Sequence, residues 1–365
     1  MTEPMAMGSY ILGRGLACTF GVGVAACLEN MRQGASRPQR IHSTPDLSWP
    51  YFSIPGFPGE PSGMSWPDRA RDLVRRVVAE CGAEICRDAP LFIASSSLNV
   101  GGVEEGAPFP LDGQAFVEEV ATWLDWRGPV FWVSSACTSS LNAMLSAKAL
   151  IESGLFEQAL VLGMELRNQF TSAGFSGMQL LAPDVPRPLD IGRNGLVLGE
   201  AVAALLLGKK PARWRVLGGA NRINGDNPVG ADQRVVAHVI AQALEESGLK
   251  PQQIELVKLH AAGSLQNDAA EVAGLHQVFK PLPPLVTFKA ALGHTLGASG
   301  AAELALLTAC LETAIWPVAT AQAADPQLDA HCCEKLATPP GKILFNILGF
   351  GGGHSCLVIE DSTRP

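Results

Sequence analysis

An α/β fold in two halves is predicted by three features of the sequence. Short apolar runs alternate with segments of helical periodicity, several runs are apolar on both faces, and reactive side chains stand where runs end. Two stretches of similar content meet near residue 210 without a long linker, which predicts halves at 1–210 and 211–365 packed against each other.

In chain order, Ser9 to Phe20 is apolar and predicts a strand entering a turn, and Val22 to Gln33 a helix. Residues 35–65 are rich in Pro, Ser and Gly and predict surface loop. Leu73, Val77 and Val78 share one face of a helix over Pro67 to Cys81. A strand over Pro90 to Ser95, a loop over 99–113, a helix over Gln114 to Trp126 and a buried strand over Val130 to Ser134 follow. A long helix, Ser139 to Ser153, precedes strands at Gln158 to Met164 and Ala201 to Leu207. The second half opens with a strand at Trp214 to Gly218 and a helix from Asp232 to Ser247 closed by Gly248. It continues with a strand at Ile254 to Leu259, a helix at Asn267 to Phe279, a strand at Leu285 to Phe288 and a helix at Ala298 to Leu311. Strands at Lys342 to Leu348 and Ser355 to Glu360 bracket a glycine-rich turn.

Composition narrows the function. Hydrophobic residues at 47% and charged residues at 17% exclude a disordered chain. A chain of 365 residues buries enough surface to need neither metal nor disulfide. The net charge of −8 argues against nucleic acid as the main partner. Nine cysteines are scattered with no C-x-x-C pair, so no metal site is expected. Met1-Thr2-Glu3-Pro4 lacks a basic leader, Ala201 to Leu207 is too short to span a membrane, and Glu303 interrupts the apolar helix near the C-terminus. A reduced, cytoplasmic protein without a membrane span is expected.

Cys137 follows a strand and precedes a helix, whose N-terminal partial charge and free N–H groups favour thiolate. From position alone it is either a nucleophile or a small buried hydrophobe. His260 ends a strand, and His294 lies in the small-residue run 293–300, five residues after Lys289. Each histidine, taken alone, is either catalytic or a hydrogen-bonded structural residue. His42, His238, His276, His331 and His354 are read as structural. The turn Gly349-Phe350-Gly351-Gly352-Gly353 begins no long helix, so it is not a dinucleotide cradle, but it can present an N–H to an oxyanion.

Together these blocks resemble the β-ketoacyl-acyl-carrier-protein synthases of the thiolase superfamily. The resemblance rests on Ser134-Ser135-Ala136-Cys137-Thr138-Ser139-Ser140, on Arg187 to Glu200, and on His260-Ala261-Ala262-Gly263-Ser264 with Asn267, Asp268 and Glu271. It is completed by Lys289, Gly293 to Gly300 and Gly349-Phe350-Gly351-Gly352. It implies a layered αβαβα thiolase-like fold and a dimer, homomeric or with another ketosynthase. A Cys–His–His set implies the elongating, decarboxylating type. Cys137 would carry the acyl chain, while His260 and His294 would stabilise the enolate formed as malonyl carrier protein loses carbon dioxide. The N–H groups of Cys137 and Phe350 would hold the oxyanion, and Phe350 would gate the acyl pocket. Lys289 and Glu200 would set the site's electrostatics, with Asp190 and Arg193 in support. Ser264, Ala262, Gly351 and Gly352 would face the substrate arm. No metal or diffusible cofactor is implied, because the acyl carrier protein brings its own phosphopantetheine. The chain departs from the family at Ala262, where a hydroxyl is usual, at Asn194, where Asp is usual, and in a shortened stretch between Ser97 and Cys137. A second implication stays open, a non-catalytic partner resembling a chain length factor.

Overall fold

The structure, a computed structural model, describes residues 8–34, 36–44, 47–56, 64–82, 84–108, 113–225, 230–316 and 323–364. Its strands are β1 (Ser9–Cys18), β2 (Gln39–Thr44), β3 (Leu47–Phe52), β4 (Leu91–Ala94), β5 (Val130–Val133), β6 (Gln158–Glu165) and β7 (Ala201–Gly208). They continue as β8 (Trp214–Ile223), β9 (Leu256–Lys258), β10 (Leu285–Val286), β11 (Lys342–Gly349) and β12 (Gly353–Asp361). The principal helices are α1 (Val24–Arg32), α2 (Trp66–Glu80), α3 (Gly113–Trp123), α4 (Ser139–Glu152), α5 (Gln169–Gly177), α6 (Gln233–Glu246), α7 (Leu265–Val278) and α8 (Ser299–Thr313).

One continuous sheet has the order β10-β9-β11-β12-β8-β1-β7-β6-β4-β5. It is two five-stranded units joined at a seam, where Ser9, Tyr10 and Ile11 of β1 pair with Val216, Arg215 and Trp214 of β8. Counted from its own first strand, each unit has the spatial order 3-2-4-5-1, with its last strand antiparallel to both neighbours. The repeat is therefore topological even though no sequence repetition is visible.

Packing gives five layers. α2 and α3 cover the outer face of the first unit through Leu73, Val77, Phe116 and Val120. α6 and α7 cover the second through Val236, Ile240, Val272 and Leu275. α4 and α8 lie between the units in one shared core. Every residue of α8 from Ser299 to Leu311 is buried, as a helix with protein on all sides requires. Gly15 lets β1 approach α2, because a Cβ there would fall 1.9 Å from the Val77 carbonyl oxygen.

Three expectations need correction. Residues 35–65 contain the β2–β3 hairpin, whose Tyr51 and Phe52 pair with Leu198 and Gly199. The expected loop 99–113 includes a short helix, Val100–Glu104. The strand β5 is not buried. It is the outer edge of the sheet, with Phe131 41% and Trp132 39% exposed. Among the described residues no helix is long and apolar enough to cross a membrane.

Candidate active site

The first half delivers Cys137 on the turn from β5 to α4. Ala136 holds φ = +51°, a left-handed conformation that costs a residue with a Cβ and recurs where a fold positions a functional group. The turn is tied by Thr138 N–H to Ser135 O (3.2 Å) and Ser139 N–H to Ala136 O (3.2 Å). The second half delivers both histidines. His260 follows β9, and its N–H and that of Ala261 each donate to the buried Glu271 carboxylate at 2.7 Å. His294 is fixed through its backbone, donating to Val197 O (2.7 Å) and accepting from Gly199 N–H (3.1 Å). The hairpin read as loop thus backs His294, because β3 pairs with the same Leu198–Gly199 segment.

These residues converge. His294 Nε2 lies 3.1 Å from Cys137 Sγ. The rings of His260 and His294 are 5.0 Å apart and nearly perpendicular. Cys137, His260, His294, Asn267, Phe350 and His354 all line one small cavity. The Phe350 ring meets Phe175 of α5 edge-on at 5.1 Å. The glycine turn is locked from behind: Gly352 O accepts from Asn224 N–H (2.8 Å), and a Cβ at Gly352 would fall 1.8 Å from Asn224 O.

Burial controls the protonation states. It pushes the Cys137 thiol up to about 11, against the pull of the Phe350 N–H and the Lys289 charge. The expectation that the helix start would favour thiolate is therefore corrected: desolvation outweighs it. The Phe350 and Cys137 N–H groups both act on the sulfur. Burial, reinforced by the Lys289 charge, holds both His260 and His294 well below the usual histidine range, so both are neutral. Leu296 N–H donates to His294 Nδ1 (3.3 Å), which leaves the ring proton on Nε2, facing the sulfur.

Beneath the site lies a cluster that was not anticipated. Lys289 and Lys258 both bond Glu303 of α8, and all three are buried. Lys289 Nζ also donates to Ser299 Oγ (2.9 Å), itself 3.2 Å from His294 Nδ1. Burial raises Glu303, but the two lysines outweigh it and hold the carboxyl below its usual range. Glu165, also missed, accepts from Ser96 Oγ (2.6 Å) and Gly297 N–H (3.2 Å) and opposes ionisation of Cys137. A charged residue inside an apolar helix was the available signal for Glu303.

Other expected residues stand elsewhere. Glu200 spends its carboxylate on Arg69 (2.8 Å to each terminal nitrogen) and on the N–H groups of Ile54 and Arg167 (2.8 Å each). It anchors the hairpin and does not face the thiol. Asp190 accepts from the N–H groups of Gly192 (2.7 Å) and Ala323 (2.9 Å), and Arg193 pairs with Asp325 at 2.6 Å, so both hold loops. Ala262 is buried in an apolar cluster with Tyr51, Leu196, Leu198 and Leu296. Ser264 caps α7 by accepting from Asn267 N–H. Gly351 is exposed.

The family models for the beta-ketoacyl synthase N-terminal domain and C-terminal domain match residues 109–212 and 216–322. The chain is 27% identical over 312 residues to the beta-ketoacyl synthase 1 named for the oxytetracycline polyketide in Streptomyces rimosus, covering 78% of this chain and 73% of that one. It is 29% identical over 264 residues to the ketoacyl synthase alpha subunit of the tetracenomycin polyketide synthase of Streptomyces glaucescens, covering 66% and 62%. Among solved structures, a chain of the complex between a ketosynthase and its chain length factor from Xenorhabdus doucetiae superposes with a TM-score of 0.81 at 24% identity, over 99% of this chain and 100% of that one. A type II ketosynthase complexed with its acyl carrier protein gives 0.84 at 18%, over 98% and 100%. The five-layered arrangement is thus the thiolase-like fold of these ketosynthases.

Proposed function

The chain belongs to the beta-ketoacyl synthase family, and from that premise we propose that it is an elongating β-ketoacyl-acyl-carrier-protein synthase of fatty acid or type II polyketide formation. The contact between Cys137 Sγ and His294 Nε2 at 3.1 Å, in a cavity shared with His260 and Phe350, carries this reading.

Cys137 sulfur attacks the acyl thioester of a carrier protein. The S–C bond to cysteine forms, the bond to the carrier's thiol breaks, and the cysteine proton leaves on that thiol. The His294 Nε2–H stabilises negative charge on the sulfur as the proton departs. Malonyl carrier protein then enters and loses carbon dioxide. The electron pair of the broken C–C bond becomes an enolate, whose oxygen takes N–H donors from His260 and His294. Neutral histidines suit this task, since each keeps one N–H to donate. The enolate carbon attacks the acyl carbon. The oxyanion takes the N–H groups of Cys137 and Phe350, and its collapse returns the thiolate, which is reprotonated from solvent. In this reading the Lys289 and Lys258 charges, held in place by Glu303, add to burial in keeping the histidines neutral. The reaction needs no metal or diffusible cofactor, and nine unpaired thiols fit a reducing cytoplasm.

The edge strand β5, with Phe131 and Trp132 outward, is the face offered to a second ketosynthase-fold subunit, identical or not. Intact mass after incubation with acyl carrier proteins tests the reading: an acyl adduct on Cys137 is expected. No adduct, with stimulation of a separate ketosynthase instead, would favour the non-catalytic partner.

A further inference from the structure

We propose that His354 is a third imidazole of the substrate site, contacting the amide-bearing arm on which the incoming thioester is carried. The inference rests on the condensing reading above and adds to it a residue outside the Cys–His–His set. His354 is the second residue of β12, where it pairs with Leu348 on one side and Arg222 on the other. It is 2% exposed, and among the described residues neither Nδ1 nor Nε2 has a hydrogen-bond partner. Its ring forms part of the cavity wall that holds Cys137, His260 and His294.

A buried imidazole with both nitrogens unpaired is costly, and native folds rarely leave one so unless a bound group completes it. The cavity holds about 30 Å³, room for one small group at a time. Ala231 lines both this space and an open cavity of about 680 Å³, so the two adjoin there. A slender chain reaching the thiol by that route passes His354. The donor pattern selects its chemistry. A neutral ring offers one N–H and, at the opposite edge, one acceptor nitrogen. A carboxylate only accepts and would leave one nitrogen unpaired. A chain of successive amides accepts and donates along its length and satisfies both, and a pantetheine arm is such a chain.

S-Methyl pantetheine is the probe, its sulfur capped so that it does not consume the alkylating agent. The concentration that half-protects Cys137 from iodoacetamide is measured for the wild-type protein, His354→Phe and His354→Asn, a readout independent of turnover. His354→Phe should raise it about two- to tenfold, the range of one or two neutral hydrogen bonds, and His354→Asn, which keeps a donor and an acceptor, should restore it. In turnover, His354→Phe should raise KM for malonyl-pantetheine by a similar factor with kcat unchanged, and leave the S-methyl malonyl thioester, which lacks amides, unaffected. Equal protection of all three proteins, or equal loss with both thioesters, would overturn the proposal. If the wild-type protein decarboxylates neither thioester, the condensing reading falls while the protection series still decides the role of His354.

Discussion

His294 Nε2 sits 3.1 Å from Cys137 Sγ, and its proton points at the sulfur because Nδ1 already accepts from Leu296 N–H. The imidazole is therefore a donor to sulfur and not a base for the thiol. Charge on the sulfur is stabilised in place, and the thiol proton must leave by another route.

Alkylation of Cys137 tests this protonation state. With the thiol pushed up to about 11 by burial, the thiolate fraction rises roughly tenfold per pH unit below that value. The rate of iodoacetamide labelling should climb without a plateau to about pH 10. A plateau near pH 7 would show a resident thiolate.

Removing the donor separates the two half-reactions. His294→Ala should slow release of carbon dioxide from malonyl carrier protein by about 10²–10³, the usual effect of losing one oxyanion donor. Acyl loading of Cys137, followed by mass, should fall less. Normal decarboxylation in this variant would refute the assignment.

The buried platform gives a stability prediction. Glu303→Gln strands two lysine charges in the interior, where losing one partner of a buried pair costs about 3–5 kcal/mol. Urea unfolding should register it. Lys258→Met leaves the Lys289–Glu303 pair intact and should cost less.

Ala262 separates pocket shape from a missing contact. Its methyl is packed against Tyr51, Leu196 and Leu296. Ala262→Thr should therefore lower stability by about 1–3 kcal/mol through overpacking and an unpaired hydroxyl. KM for malonyl carrier protein should not improve. A several-fold lower KM at unchanged stability would show that the hydroxyl reaches the arm.

Local signals carried much of this molecule. Cys137 and His260 were legible because each follows a strand, and strand ends are where α/β sheets gather chemistry, while His294 was legible from the run of small residues around it. Tertiary partnerships were not legible. Nothing near Lys258 or Glu165 in the chain marks them as neighbours of the site. Glu303 was visible only as a charge within an apolar helix. The hairpin at 39–52 was hidden by proline and serine, and an apolar strand such as β5 reads alike whether it lies inside a sheet or at its edge. His354, one histidine in an ordinary strand, was read as structural because orphaned ring nitrogens appear only in three dimensions.

The seam between β1 and β8 also orders events in time. A ribosome finishes all five strands that surround the nucleophile before it makes either active-site histidine. The emerging chain therefore carries a thiol with no imidazole beside it, and the inner face of its first sheet waits for α8. Competence arrives late, when β11 and β12 close over that helix. A product truncated before them would be inert rather than partly active, and ill-suited to persist, since it would present to chaperones and proteases the apolar layer that the complete protein never shows.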